Sequence, residues 1–416
     1  MLAALFPIRS LLLAIFMLMA GSGFMATLIS LRLERAEQST ILIGAVATAY
    51  FVGLVIGALR SGSVVRRVGH IRAFAAFVAL LSASTLGYAL VIDPLLWSCL
   101  RLIDGFCVAG VFVCLESWLN ERADAASRGS ILAAYMVALY CGQAVGQLLL
   151  SVSGNLPAAP FQLASMLISL AIIPLCLTRN SAPPPAEATA FRSRTLLMAS
   201  PLGAVGVVTT GLMLGAFYGL AAVQVRRLGL DLSQTAGFMM IVILGGVALQ
   251  WPLGHLSDRH DRRQIIVLSF AMTFCVSLAI WLLTPIGLWL QILGAMFGGL
   301  SFALYPLCVA HCNDRLVASQ RIAASGRLVL LYSVGAAVGP IGGAILMTWS
   351  SSGLFLFIAF CAGATALFGM WRQTAAPSVP VPEQQDFQIL PRTTPIASLL
   401  DPNTPDASAI EEQETG

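Results

Sequence analysis

Gly254-His-Leu-Ser-Asp258-Arg259-His-Asp261-Arg262-Arg263 gathers five charged residues into ten positions, and long uncharged runs stand on both sides of it. A second loop, Gly62-Ser-Val-Val-Arg66-Arg67-Val-Gly69-His70-Ile-Arg72, lies in the same way between the apolar runs at about 40–60 and 73–92. Crossing a hydrocarbon layer of roughly 30 Å takes about 20 apolar residues in a helix, and each flanking run has that length. Working outward from the two loops, twelve runs can be placed. The first six lie at approximately 11–31, 40–60, 73–92, 95–118, 130–152 and 161–178. The second six lie at 199–222, 236–256, 265–283, 287–311, 326–349 and 354–371. A membrane barrel would show alternating segments of about ten residues instead. The first run has small residues at Ala20, Gly21, Ser22 and Gly23 that suggest a secretory signal, yet it is of full spanning length, so an uncleaved first helix is expected.

Composition points the same way. Of 416 residues 58% are hydrophobic and 10% charged, with mean hydropathy +0.87, whereas soluble domains carry roughly 25% charge. Every basic residue besides histidine is arginine, in short clusters between the runs, a pattern that orients a membrane protein and does not suggest nucleic-acid binding. Placing the N-terminus in the cytoplasm puts Arg60, Arg66, Arg67, Arg72, Arg122, Arg128, Arg179, Arg192, Arg194, Arg259, Arg262, Arg263, Arg315, Arg321 and Arg327 inside, with the tails. Arg32, Arg35, Arg226 and Arg227 fall outside and Arg101 within a run. Both termini are therefore expected in the cytoplasm, in a multi-pass protein of a bacterial inner membrane. The nine cysteines lie mostly inside apolar runs and read as free packed thiols. Cys308, His311 and Cys312 lack a further ligand cluster, and neither a metal nor a cofactor is implied.

The predicted fold is an all-α membrane protein of twelve transmembrane helices in two pseudo-symmetric six-helix bundles. Residues 1–178 form the first bundle, 179–198 with Pro183, Pro184 and Pro185 a cytoplasmic linker, and 199–372 the second bundle. The Pro-, Gln- and Glu-rich stretch 373–416 is expected to be a disordered cytoplasmic tail. The halves echo each other: Gly142-Gln-Ala-Val-Gly146-Gln147 recurs as Gly335-Ala-Ala-Val-Gly339-Pro340, its first glycine 193 positions on. With Gly342 and Gly343, these small residues are expected to let helices pack closely, and duplicated halves place a binding site at mid-membrane.

The glycine, the three residues after it, the Asp-Arg pair and the further basic pair resemble the repeated loop signature of the major facilitator superfamily. With the helix count and linker, that resemblance spans the whole chain before its tail. Arg-x-Gly-His-x-Arg, Glu116-Ser-Trp-Leu-Asn120 and Arg128-Gly129 resemble its YcaD-type branch. The resemblance implies a secondary transporter working by alternating access, with the loops as a cytoplasmic latch: Gly62, Arg66, Arg67, Gly69 and Arg72 with Glu116, and Gly254, Asp258, Arg259, Arg262 and Arg263. The first copy departs from the pattern, having Arg66 where an acid is expected and His70 at a basic position. The second has Asp261 in place of a glycine but keeps Asp258, expected to be the stronger latch; for the first, Glu116, Asp124 and Asp314 are the possible partners.

Arg101, Asp104 and Glu116 lie within an otherwise apolar fourth run, and charges at membrane depth are costly enough to suggest function. Arg101 and Asp104 are three apart and share a helix face; Asp104 lies roughly 14 Å from the outer end by helical rise. Arg101 to Gly105 also resembles the family's fourth-helix Arg-x-x-x-Gly pattern, linked to proton movement in proton-coupled members. Proton coupling at Arg101 and Asp104, a static pair that packs helices, and direct solute binding by Arg101 all stay open. Candidate cavity residues are Tyr135, Tyr140, Gln143 and Gln147 in the first half and Tyr305, His311 and Tyr332 in the second. Gly339-Pro340-Ile341-Gly342-Gly343 resembles an antiporter motif of the fifth helix, but on the eleventh it does not establish export.

The partners expected are a small solute and protons, in a monomer held by membrane lipid. Without lysine there is no Gly-x-x-x-x-Gly-Lys loop, which disfavours ATP-driven transport by this chain. No nucleophile-base set suggests an enzyme, and no recognisable signalling domain in 373–416 suggests a non-transporting sensor. Export of a metabolite or drug is slightly preferred to uptake.

Overall fold

The computed structural model describes residues 6–124, 126–151, 156–177, 193–350, 352–375 and 377–403. Twelve of its helices are long and apolar enough to cross a membrane. They are α1 Arg9–Arg35, α2 Thr40–Val68, α3 His70–Gly87, α4 Pro94–Glu121, α5 Arg128–Leu148, α6 Ala159–Cys176, α7 Pro201–Arg227, α8 Leu232–Arg259, α9 Arg262–Leu283, α10 Gly287–Asn313, α11 Gln320–Trp349 and α12 Gly353–Ala375. No strand occurs among the described residues. The linker expected at 179–198 lies mostly outside them; what is described is a short helix, Ser193–Ala199.

Local chemistry fixes the ends of these helices. Asp93 precedes Pro94 and accepts a hydrogen bond from the Leu96 amide at 2.7 Å, satisfying a free donor at the start of α4. Asp231 and Gln234 form a reciprocal capping box on α8. Between α2 and α3 the chain turns at Gly69 with φ of +86°, a conformation open to glycine. In the second loop the same job falls to an extended His260 and to Asp261, whose carboxylate accepts the Arg263 amide at 3.0 Å. That cap is why an acid can replace the glycine there.

Packing repeats between the halves: α1 lies on α5 as α7 lies on α11, α2 on α4 as α8 on α10, and α3 on α6 as α9 on α12. The duplicated glycines make two of these contacts. A side chain at Gly142 or Gly146 would meet the carbonyls of Phe16 and Ala20, and one at Gly335 or Gly339 those of Val208 and Leu212. Gly339→Val is therefore expected to force α7 and α11 apart, because its Cβ would lie 2.1 Å from the Leu212 oxygen. Overpacking of about 1–3 kcal/mol should lower the unfolding midpoint in a thermal melt; an unmoved midpoint would show the contact to be soft.

Twelve crossings leave residues 9 and 375 on one side, which also holds the two arginine-rich loops. On the opposite side the halves meet directly. Thr48 of α2 donates to the Ala337 carbonyl of α11 at 2.8 Å, and Gly44 lies against Pro340. Arg227 at the end of α7 bonds Glu34 of α1 at 3.1 Å and Thr40 at 2.8 Å. On the arginine-rich side the carboxyl-terminal segment fills the space between them.

Candidate functional site

α4 carries the charged pair into the protein. Arg101 is 5% and Asp104 3% exposed, and they approach to 3.7 Å, longer than the roughly 2.7–2.9 Å of a tight charge-assisted hydrogen bond. Each has another partner. The Arg101 guanidinium lies 4.1 Å from the centre of the Tyr50 ring of α2, a cation–π contact. Tyr88, just past α3, donates its hydroxyl to Asp104 Oδ2 at 2.6 Å. Among the described residues Asp104 Oδ1 is buried with no hydrogen-bond partner. Gly105 makes the arrangement possible, since a Cβ there would come within 2.0 Å of the Tyr50 carbonyl and push α2, with its ring, off Arg101.

Arg101 and Asp104 face a central cavity of about 190 Å³ between the two halves. Of the residues the sequence offers, Tyr140 and Gln143 of α5 and Tyr332 of α11 line it, and Tyr50 and Tyr218 line it too. Nothing in the sequence separates those two tyrosines from ring-packing residues elsewhere. The remaining four candidates lie off the cavity. Gln147 donates to the Gly23 carbonyl at 3.0 Å, satisfying the backbone where α1 is interrupted between Ser22 and Met25. Tyr135 donates to Glu116, Tyr305 packs edge-on against Tyr332 with ring centres 5.4 Å apart, and His311 is buried at the far end of α10.

The second loop forms a charge cluster. Arg262, 1% exposed in its side chain, bonds Asp314 at 2.7 Å and Asp258 at 3.0 Å. Burial pushes the Asp314 carboxyl above the ordinary carboxylate value against the pull of Arg262. Burial acts on Asp261 as well, but bonds from Arg263 hold it below that value. Arg259 points to the exterior. The first loop differs: Arg66, Arg67 and Arg72 are exposed, with no ion pair among the described residues, and nothing but the Arg66 side chain approaches Gly62. Glu116, expected to pair with that loop, faces elsewhere. It is fully buried and accepts hydrogen bonds from Tyr135, Thr393 and Thr394.

Those threonines belong to the tail, where the structure departs from the expected disorder. Residues 377–403 follow a defined path with 3-10 turns at Val381–Glu383 and Pro395–Leu400; residues 404–416 lie outside the described set. The tail's donors find acceptors in the charge cluster. The Gln385 amide bonds Asp314 and the Phe387 amide Asp258, both at 2.9 Å, while Arg262 donates to the Gln385 carbonyl. The Phe387 ring fills the space where a Cβ on Gly254 would be, 2.0 Å from its Cδ1. Farther on, Pro391, Arg392 and Thr393 enter the central cavity, and Pro395–Leu400 lies against α4, α5 and α11. Leu390, Ala397 and Leu400 of the tail are buried, and its amides at Gln385 and Phe387 meet the carboxylates of Asp314 and Asp258.

The family model of the Major Facilitator Superfamily matches residues 11–311 and 243–404. The "Uncharacterized MFS-type transporter YcaD" of Salmonella enteritidis PT4 is 30% identical over 357 residues, covering 85% of this chain and 92% of that protein. The protein of the same name from Escherichia coli O7:K1 is 30% identical over 356 residues with the same coverage, 85% and 92%. Among solved structures, the nucleoside transporter NupG superposes with a TM-score of 0.71 at 16% identity, covering 87% of this chain and 98% of that one. A bacterial homolog of the human lysosomal transporter Spinster, inward-facing and unoccupied, gives 0.70 at 12% identity, covering 89% and 95%.

Proposed function

This chain belongs to the major facilitator superfamily, and on that premise we propose that it is a proton-coupled secondary transporter in which Asp104 takes up and releases the proton. The reading rests on one observation: a carboxylate at membrane depth, open to the central cavity, with one oxygen that accepts no hydrogen bond. A bound proton on that oxygen lowers the cost of a buried carboxylate whose charge Arg101, at 3.7 Å, offsets only in part. Arg101, engaged by the Tyr50 ring and 3.7 Å away, stabilises the ionised form without locking it.

Alternating access needs two closures that cannot form together. In this conformation the outer one is made by Arg227 with Glu34 and Thr40 and by the packing of α2 on α11. The arginine-rich side is then the cytoplasmic side, by the excess of arginine in its loops. Asp258, Arg262 and Asp314 are joined within the second half already in this conformation, and are read as the part of the latch that receives the first half when that side closes. The membrane is a bacterial inner membrane, and the cavity lining of rings and few charges suits export of a small metabolite or drug.

A solute screen by thermal stabilisation of the purified protein would supply the substrate for the test. In proteoliposomes, flux of that solute is expected to rise when a pH gradient is imposed and to carry protons with it, seen by an entrapped pH dye. Solute flux that ignores the gradient and leaves the dye unchanged would overturn proton coupling.

A further inference from the structure

We propose that the aromatic cage holding Arg392 is a binding site for an organic monocation with a guanidinium or ammonium head, and that the tail occupies it as a tethered substitute. The inference rests on reading the central cavity as the transport site. The Arg392 Cζ lies 4.7 Å from the centre of the Phe302 ring, 5.6 Å from Tyr332 and 6.0 Å from Tyr218. Among the described residues its side-chain hydrogen bond is long, 3.4 Å to the Tyr218 hydroxyl. Among the described residues it forms no salt bridge. Rings surrounding a cation are the chemistry by which proteins bind ammonium and guanidinium groups.

The cage belongs to the helices and needs no tail to exist. Phe302, Tyr332 and Tyr218 come from α10, α11 and α7, and Tyr218 lies against Phe302 with ring centres 6.2 Å apart. Tyr140 of α5 stacks on Phe302 with centres 5.7 Å apart, and Tyr305 packs edge-on against Tyr332 at 5.4 Å. Tyr140 is itself held by Gln250 of α8 at 3.3 Å. The three cage rings thus come from the second half, and the first half supports them through Tyr140. Arg101 and Asp104 line the same cavity as a pair whose charges offset, so the rings are the part of the lining that recognises a single cationic head.

The tail also blocks the cycle while it is bound. It takes the latch carboxylates Asp258 and Asp314 with the amides of Phe387 and Gln385, and Glu116 with Thr393 and Thr394. Its turn at Pro395–Leu400 lies among α4, α5 and α11, where the halves would have to meet for that side to close. All these contacts are noncovalent, and a cation in the cage excludes Arg392 from it.

The test is binding of phenylguanidinium to the purified full-length protein by titration calorimetry, with neutral phenylurea as control. Arg392→Gln is expected to tighten phenylguanidinium binding by about tenfold or more, since it frees a site that was mostly occupied. Thr394→Val, which loosens the tail and leaves the rings alone, should tighten it in the same direction. Adding Phe302→Ala to Arg392→Gln should weaken it by about tenfold, as loss of a desolvated cation–π contact does. In the native protein, phenylguanidinium should speed trypsin cleavage after Arg392. Unchanged affinity in both tail variants, or phenylurea binding as well as phenylguanidinium, would overturn the proposal. Tightened binding without phenylguanidinium flux in Arg392→Gln proteoliposomes would uphold the cage and overturn the transport reading.

Discussion

Replacing Asp104 by Asn should abolish solute accumulation driven by a pH gradient while leaving exchange of solute for solute intact. The amide keeps the size of the carboxylate and a place for the Tyr88 hydrogen bond, and Arg101 keeps its seat over the Tyr50 ring. What is lost is the proton. With one proton per cycle, two pH units sustain a concentration ratio of roughly a hundredfold, about 1.4 kcal/mol for each factor of ten. The Asn variant should reach a ratio no greater than one. Reconstituted vesicles with labelled solute measure both modes, and accumulation that survived the substitution would leave Arg101 and Asp104 as a static pair.

The second large effect is expected at Arg262. Its side chain and that of Asp314 are each 1% exposed and 2.7 Å apart, so Arg262→Met leaves a buried carboxylate without its partner. Breaking such a pair from one side costs about 3–5 kcal/mol. Removing both partners, Arg262→Met with Asp314→Leu, should cost less than the sum of the single changes. A dependence on pH follows. The Asp314 carboxyl is already raised by burial, and without Arg262 it rises further. A carboxyl raised in the folded state favours folding fully below its ordinary value of about 3.9, and that contribution is lost as pH rises through the raised value. The defect of Arg262→Met should therefore shrink as a melt is taken from pH 7 toward pH 5. A defect independent of pH would place its origin outside Asp314.

Much of the architecture was legible because it is written in local spacing. Runs of apolar residues count the helices, and the Gly142–Gly146 and Gly335–Gly339 pairs mark where carbonyls of α1 and α7 come close. The second loop's resemblance to the repeated family signature pointed to Asp258 and Arg262. Asp314, the nearer partner of Arg262, stands more than fifty positions away, and only folding brings it there. Cavity residues were harder. Central helices such as α7 and α10 are apolar on every side, so periodicity does not say which neighbour a polar group faces. Gln143 and Gln147 share a face of α5, yet one lines the cavity and the other bonds the interrupted backbone of α1. The tail was the largest surprise, because a handful of residues, Phe387, Arg392, Thr393 and Thr394, carry contacts that a composition average dilutes.

Ten positions separate Ala375 at the end of α12 from Gln385 at the charge cluster. So short a leash keeps a bound segment at an effective concentration of about millimolar, however dilute the protein is in its membrane. An incoming molecule must outcompete a rival that never diffuses away. Trace amounts would leave Arg392 in place, and the concentration needed to displace it would rise with the effective concentration that the short connection imposes.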